Sequence, residues 1–144
     1  MTSSSTAQPV TPYAGQRLGL PAAGPGAVAG WGRRVLALVI DWFASLLVAA
    51  AFAGPQVTSS QGWQAWLPMV VFFAEAGFLT ALVGGSFGQL VVRVVVVRVD
   101  HRPLSLLRAL ARTLLICLVV PPLVFDRDRR GLHDILARTI TLRR

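Results

Sequence analysis

GWGRRVLALVIDWFASLLVAAAFA, Gly30 to Ala53, is the stretch that decides the fold. Two arginines open it, and Val35 to Ala53 follow as nineteen residues with one charge, Asp41. At ~1.5 Å rise per residue, a helix of this length matches the ~30 Å hydrocarbon core of a bilayer. A carboxylate near the centre of such a helix costs roughly 2.5–3.5 kcal/mol on insertion scales. Asp41 should therefore face protein or water, not lipid. A suitable face is visible: Arg33, Ala37, Asp41, Ser45, Ala49 and Ala53 recur every four residues, a small and polar stripe that lets another helix approach. Arg34 stands seven residues before Asp41, two turns away and near that side.

Upstream, residues 1–29 are rich in Ser, Thr, Ala, Gly and Pro, with one charge, Arg17. They lack the basic start and early apolar run of a signal peptide and read as a flexible cytoplasmic tail ahead of a membrane domain over 30–142. Downstream, Gly54-Pro55 ends the first helix, predicted over 34–53. The uncharged Gln56 to Ala65 fits a short external loop, with Trp63 and Trp66 at headgroup level. A second span is predicted over 66–83, with Pro68 in its first turn, one charge, Glu75, and a Gly77/Ala81 pair for close packing.

Gly84-Gly85 closes that span. In the following Ser86 to Ser105, the valine-rich Leu90 to Val99 favours extended structure, a strand or amphipathic segment at the cytoplasmic surface; a continuing helix is the alternative. A third apolar segment covers 104–125, but only Leu114 to Phe125 is uninterrupted and Pro121-Pro122 breaks it. Runs that short are more often re-entrant than spanning. Residues 126–144 carry six arginines and belong on the cytoplasmic side by the positive-inside rule. Two spans and a bent third segment keep both arginine-rich regions inside. A full third span is open if Arg108 and Arg112 are drawn into the bundle. The expected fold is an all-α membrane protein: two transmembrane helices plus a third broken or re-entrant helix, with a short extended cytoplasmic connection.

Composition agrees. Of 144 residues, 54% are hydrophobic and 14% charged, against about 25% charged in soluble domains. The net charge is +8 and every basic side chain is arginine. The arginines flank apolar runs, so they read as topogenic; no nucleic-acid motif competes. Absence of lysine fits a GC-rich bacterial coding sequence, and the bacterial cell membrane is the expected location, N-terminus inside. The single cysteine, Cys117, excludes an internal disulfide and reads as inert packing.

Three motifs, in order, resemble the RDD family of small bacterial multi-pass membrane proteins. R-x-x-A-x-x-I-D is matched by Arg34, Ala37, Ile40 and Asp41. S/T-x-G-K is matched by Ser86-Phe87-Gly88-Gln89, with glutamine in place of lysine. G-x-H-D-x-x-A-x-T is matched by Gly131, His133, Asp134, Ala137 and Thr139. Arg93 stands where a glycine is common. The resemblance covers roughly 28 to 142 and carries the family's signature residues onto Arg34, Asp41 and Asp134. It implies an integral membrane domain without a settled biochemical function; cation/proton antiport has been proposed for some members.

Asp41 admits two readings. One is a cation or proton site, shared with Glu75. The other is an ion pair with Arg34, Arg112 or another arginine that holds helices together. Glu75 is either a second carboxylate beside Asp41 or a partner for Arg112 or Arg108. Asp134 is expected to accept hydrogen bonds from an arginine such as Arg34, docking the tail on the bundle. His133-Asp134 and the D-x-D of Asp126 and Asp128 lack metal-ligand spacing, and no enzyme signature or cofactor site is found. The leading expectation is a structural or accessory membrane module in which Arg34, Asp41 and Asp134 fix packing and docking. Transport through Asp41 and Glu75 is the alternative, and would need a homo-oligomer or another membrane protein as partner. A third reading is binding of anionic lipids through Arg93, Arg98 and Arg102.

Overall fold

A computed structural model describes residues 13–59, 61–100, 104–118 and 130–144. Helix α1 spans Trp31–Ala53 and α2 Leu67–Val83; a short α3, Phe87–Val91, leads into strand β1, Val94–Arg98. Then come α4, Leu106–Cys117, the short α5, Leu132–Leu136, and β2, Thr139–Arg143. Both long helices are long and apolar enough to cross a membrane, the second when the 3-10 turn Trp63–Trp66 is counted with it. Neither is buried as a core helix is: Phe52, Leu47 and Leu82 keep 83%, 72% and 77% of their surface exposed, and an apolar flank of this kind marks contact with membrane or with another protein.

The side that α1 buries is the small and polar stripe: Ala37, Asp41, Ser45 and Ala49. α2 starts with Pro68 in its first turn and ends at Gly84, whose φ of 79° is left-handed backbone. It packs on α1 and on α4. Gly77 makes the second contact possible, because a Cβ there would run into Leu110 of α4.

The all-α expectation is corrected by a small antiparallel sheet. β1 pairs with β2, with Val94 opposite Arg143 and Arg98 opposite Thr139. The other edge of β2 takes residues 26–29: Gly26 N donates to Arg143 O (2.8 Å), Arg143 N to Ala27 O (2.9 Å) and Ala29 N to Thr141 O (2.9 Å). Ala27, Val28 and Ala29 are buried, so the ordered domain begins ahead of the predicted tail boundary at 29. Local sequence could not give this, since each partner lies far away in the chain. The extended segment is also shorter than predicted. Leu90 and Val91 belong to α3 because Ser86 and Gln89 form a capping box that starts a helix there.

The sheet lies at the end of the helix pair where α1 begins and α2 finishes. α4, at 12 residues, is roughly 18 Å long, short of a bilayer core. The predicted break at Pro121-Pro122 lies outside the described residues.

Candidate functional site

Asp134 is fully buried beside α1, α4 and β2. Its Oδ2 accepts from Arg34 Nη1 at 2.8 Å and its Oδ1 from Arg112 Nε at 3.0 Å. Thr139 and Thr141, two apart and so on one face of β2, add their hydroxyls at 3.3 and 3.2 Å. His133 Nε2 stands 3.6 Å from Oδ1. Burial alone would push this carboxyl up; the charges of Arg112, His133 and Arg34 outweigh it and hold the group down at about 2. Arg34 fastens more than the acid. Its Nε donates to Ala29 O (3.2 Å) and its Nη2 reaches Thr141 O (3.5 Å). One guanidinium thus links the entry to α1, the acid of α5 and the central strand.

Asp41 and Glu75 converge on a different element, the first turn of α3. Ser86 Oγ donates to Asp41 Oδ2 and Gly88 N to Asp41 Oδ1. Phe87 N donates to Glu75 Oε1 at 2.7 Å, and Ser86 N to Gln89 Oε1 at 3.1 Å. A helix start leaves backbone N–H groups without intrahelical partners; here carboxylates from two long helices receive two of them. Gly88 is needed for that approach, because a Cβ would collide with the Ala37 carbonyl and crowd Asp41. The other Glu75 oxygen, Oε2, is buried with no hydrogen-bond partner among the described residues.

A cavity of about 190 Å³ is bordered by members of both clusters, among them Arg34, Arg112, Asp41 and Gln89. Among the described residues no group of three His, Cys, Asp or Glu side chains is placed to hold a metal ion.

The model of the RDD family matches residues 28–138. The chain belongs to the RDD family. No curated protein and no solved structure matches it. The three RDD signature positions therefore split between two clusters: Arg34 and Asp134 meet each other, while Asp41 meets Ser86 and Gly88 of the middle motif. The expected pairing of Asp41 with Arg34 or Arg112 is not made among the described residues, because Asp134 takes both arginines. Glu75 likewise pairs with backbone rather than with Arg108, whose Nη1 is buried without a partner among the described residues. Of the arginines expected at lipid phosphates, Arg98 bonds Asp100, Arg93 is exposed and Arg102 lies outside the described residues. The sequence reading overlooked Thr141 and the capping role of Ser86. The second was readable: S-F-G-Q directly after Gly-Gly is a capping-box pattern.

Proposed function

We propose that this RDD protein is a non-enzymatic structural or accessory module of the bacterial cell membrane, with its N-terminus and its sheet on the cytoplasmic side. The observation that carries this is Asp134, fully buried and shared by Arg34 and Arg112. Both arginines meet at one internal acid, which is what a docking role requires. Removing one member of a buried charge cluster typically costs about 3–5 kcal/mol, so these residues are worth keeping for the fold alone. Asp41 serves in the same way, holding α3 against α1. The sheet supports the sidedness: it gathers 26–29, β1 and β2 at one end of α1 and α2, next to the arginines that the positive-inside rule assigns to the cytoplasm. With both ends of the domain on one side, α1 and α2 cross as a pair, and α4, too short to span, does not add a third crossing.

Cation/proton exchange is the second reading. It is favoured by the Glu75 Oε2, which has no partner among the described residues, and by the convergence of Glu75 and Asp41 on one short helix. Two readouts on the same proteoliposomes separate the readings: cation-driven proton flux and the folded fraction. No flux, with folded protein lost in Asp41→Asn, supports the module. Flux that disappears in Asp41→Asn or Glu75→Gln while the fold survives overturns it.

A further inference from the structure

Arg112 is only 3% exposed and lines the cavity. Its Nε is engaged by Asp134, but neither η nitrogen has an acceptor among the described residues. A guanidinium carries five N–H donors, and those of the Arg112 η nitrogens are not among the buried unpartnered atoms of the described residues, so they face accessible space. Such a group beside an open cavity calls for an oxygen-rich anion, and phosphate matches the fork of an arginine. Arg34 lines the same cavity. Asp41 also borders the space, with both its oxygens engaged by Ser86 and Gly88 of α3, and the Asp134 carboxylate lies under the two arginines.

The rest of the lining is largely apolar, including Val35, Leu38, Phe72 and Ile116. Trp31, Val35 and Leu38 keep 48%, 37% and 41% of their surface exposed. That lining therefore runs out onto the flank of α1 that meets acyl chains. The volume holds a headgroup and not a whole lipid, so the hydrocarbon must leave sideways along this flank. We propose that the cavity between α1, α2 and α4 holds one membrane phospholipid by its phosphate, with the η nitrogens of Arg112 as donors and the chains along Trp31, Val35 and Leu38. This rests on the bilayer placement of the chain and goes beyond the structural role of its charges.

Native mass spectrometry of the full chain, released from detergent micelles doped with one lipid at a time, tests it. Phosphatidylglycerol and phosphatidylethanolamine should each leave one copy bound at activation that strips surface lipid. Diacylglycerol, which lacks the phosphate, and inorganic phosphate, which lacks the chains, should not be retained. Ala76→Phe places a ring in the cavity while leaving every arginine in the chain, and should weaken retention by about tenfold or more, equivalent to about 1.4 kcal/mol. Leu38→Trp, at the open rim, blocks the exit independently should the first variant fail to fold. Equal retention of diacylglycerol, binding of phosphate alone, or undiminished lipid in a folded blocking variant would each overturn the assignment. A chain that requires detergent yet keeps no lipid overturns the lipid site alone; a chain soluble without detergent overturns the bilayer placement as well.

Discussion

At the scale of single residues, Asp134 governs the most. Asp134→Asn leaves Arg34 and Arg112 without a counter-charge at a site with no exposure, and should destabilise by about 3–5 kcal/mol. Thermal unfolding in detergent, followed by tryptophan fluorescence, reads the loss. The pH dependence follows from the carboxyl being held at about 2 against an ordinary 3.8. The folded value is the lower one, so the contribution is complete above about pH 4 and fades as pH falls towards 2. The wild type should lose melting temperature across that window, and Asp134→Asn should lack that component. Gly88 and Arg93 give opposite expectations. Gly88→Ala brings a Cβ against the Ala37 carbonyl and should cost about 1–3 kcal/mol. Arg93 sits at φ 56°, left-handed backbone, so Arg93→Gly should be neutral or stabilising by at most about 1 kcal/mol. Chemical denaturation of the two variants side by side checks both signs.

At the scale of elements, the helices were legible and the joints between them were not. The four-residue stripe foretold which side of α1 is buried, and Gly84-Gly85 foretold where α2 stops, because both depend on periodicity and backbone freedom within one segment. The destination of each charge depends on chain folding, which a local pattern does not encode. Of the two readings of Asp41, the ion pair rests on electrostatics alone, yet among the described residues its hydrogen-bond partners are the hydroxyl of Ser86 and an amide of α3. Pairing 26–29 with β2 was equally hidden: the β-branched Thr139-Ile140-Thr141 favours a strand, but nothing local names Gly26 to Ala29, far away in the chain, as its neighbour. α3 itself is only five residues long and has no independent stability; it persists because its first turn is capped from outside. Ser86→Ala removes the capping hydroxyl and leaves an Asp41 oxygen unmet, so the loss should exceed the ~1 kcal/mol usual for a cap. Hydrogen exchange at 87–91 should rise well above that of α1 and α2; unchanged protection there would mean that α3 is held by something else.

At the scale of the whole molecule, the sheet joins the two ends of the domain. Residues 26–29, β1 and β2 share it, so under the proposed bilayer placement both ends belong on one face of the membrane. With Cys117 replaced by serine, single cysteines at Tyr13 and at Arg144 should react with an impermeant maleimide only after the cells are opened. Labelling of either one on intact cells contradicts this arrangement. The order of synthesis gives the sheet a further meaning. Arg34 and Arg112 are made before Asp134, and 26–29 and β1 before β2. A product truncated ahead of residue 134 would leave these two arginines without their shared acid and the sheet without its middle strand, and should be far less stable than the full chain.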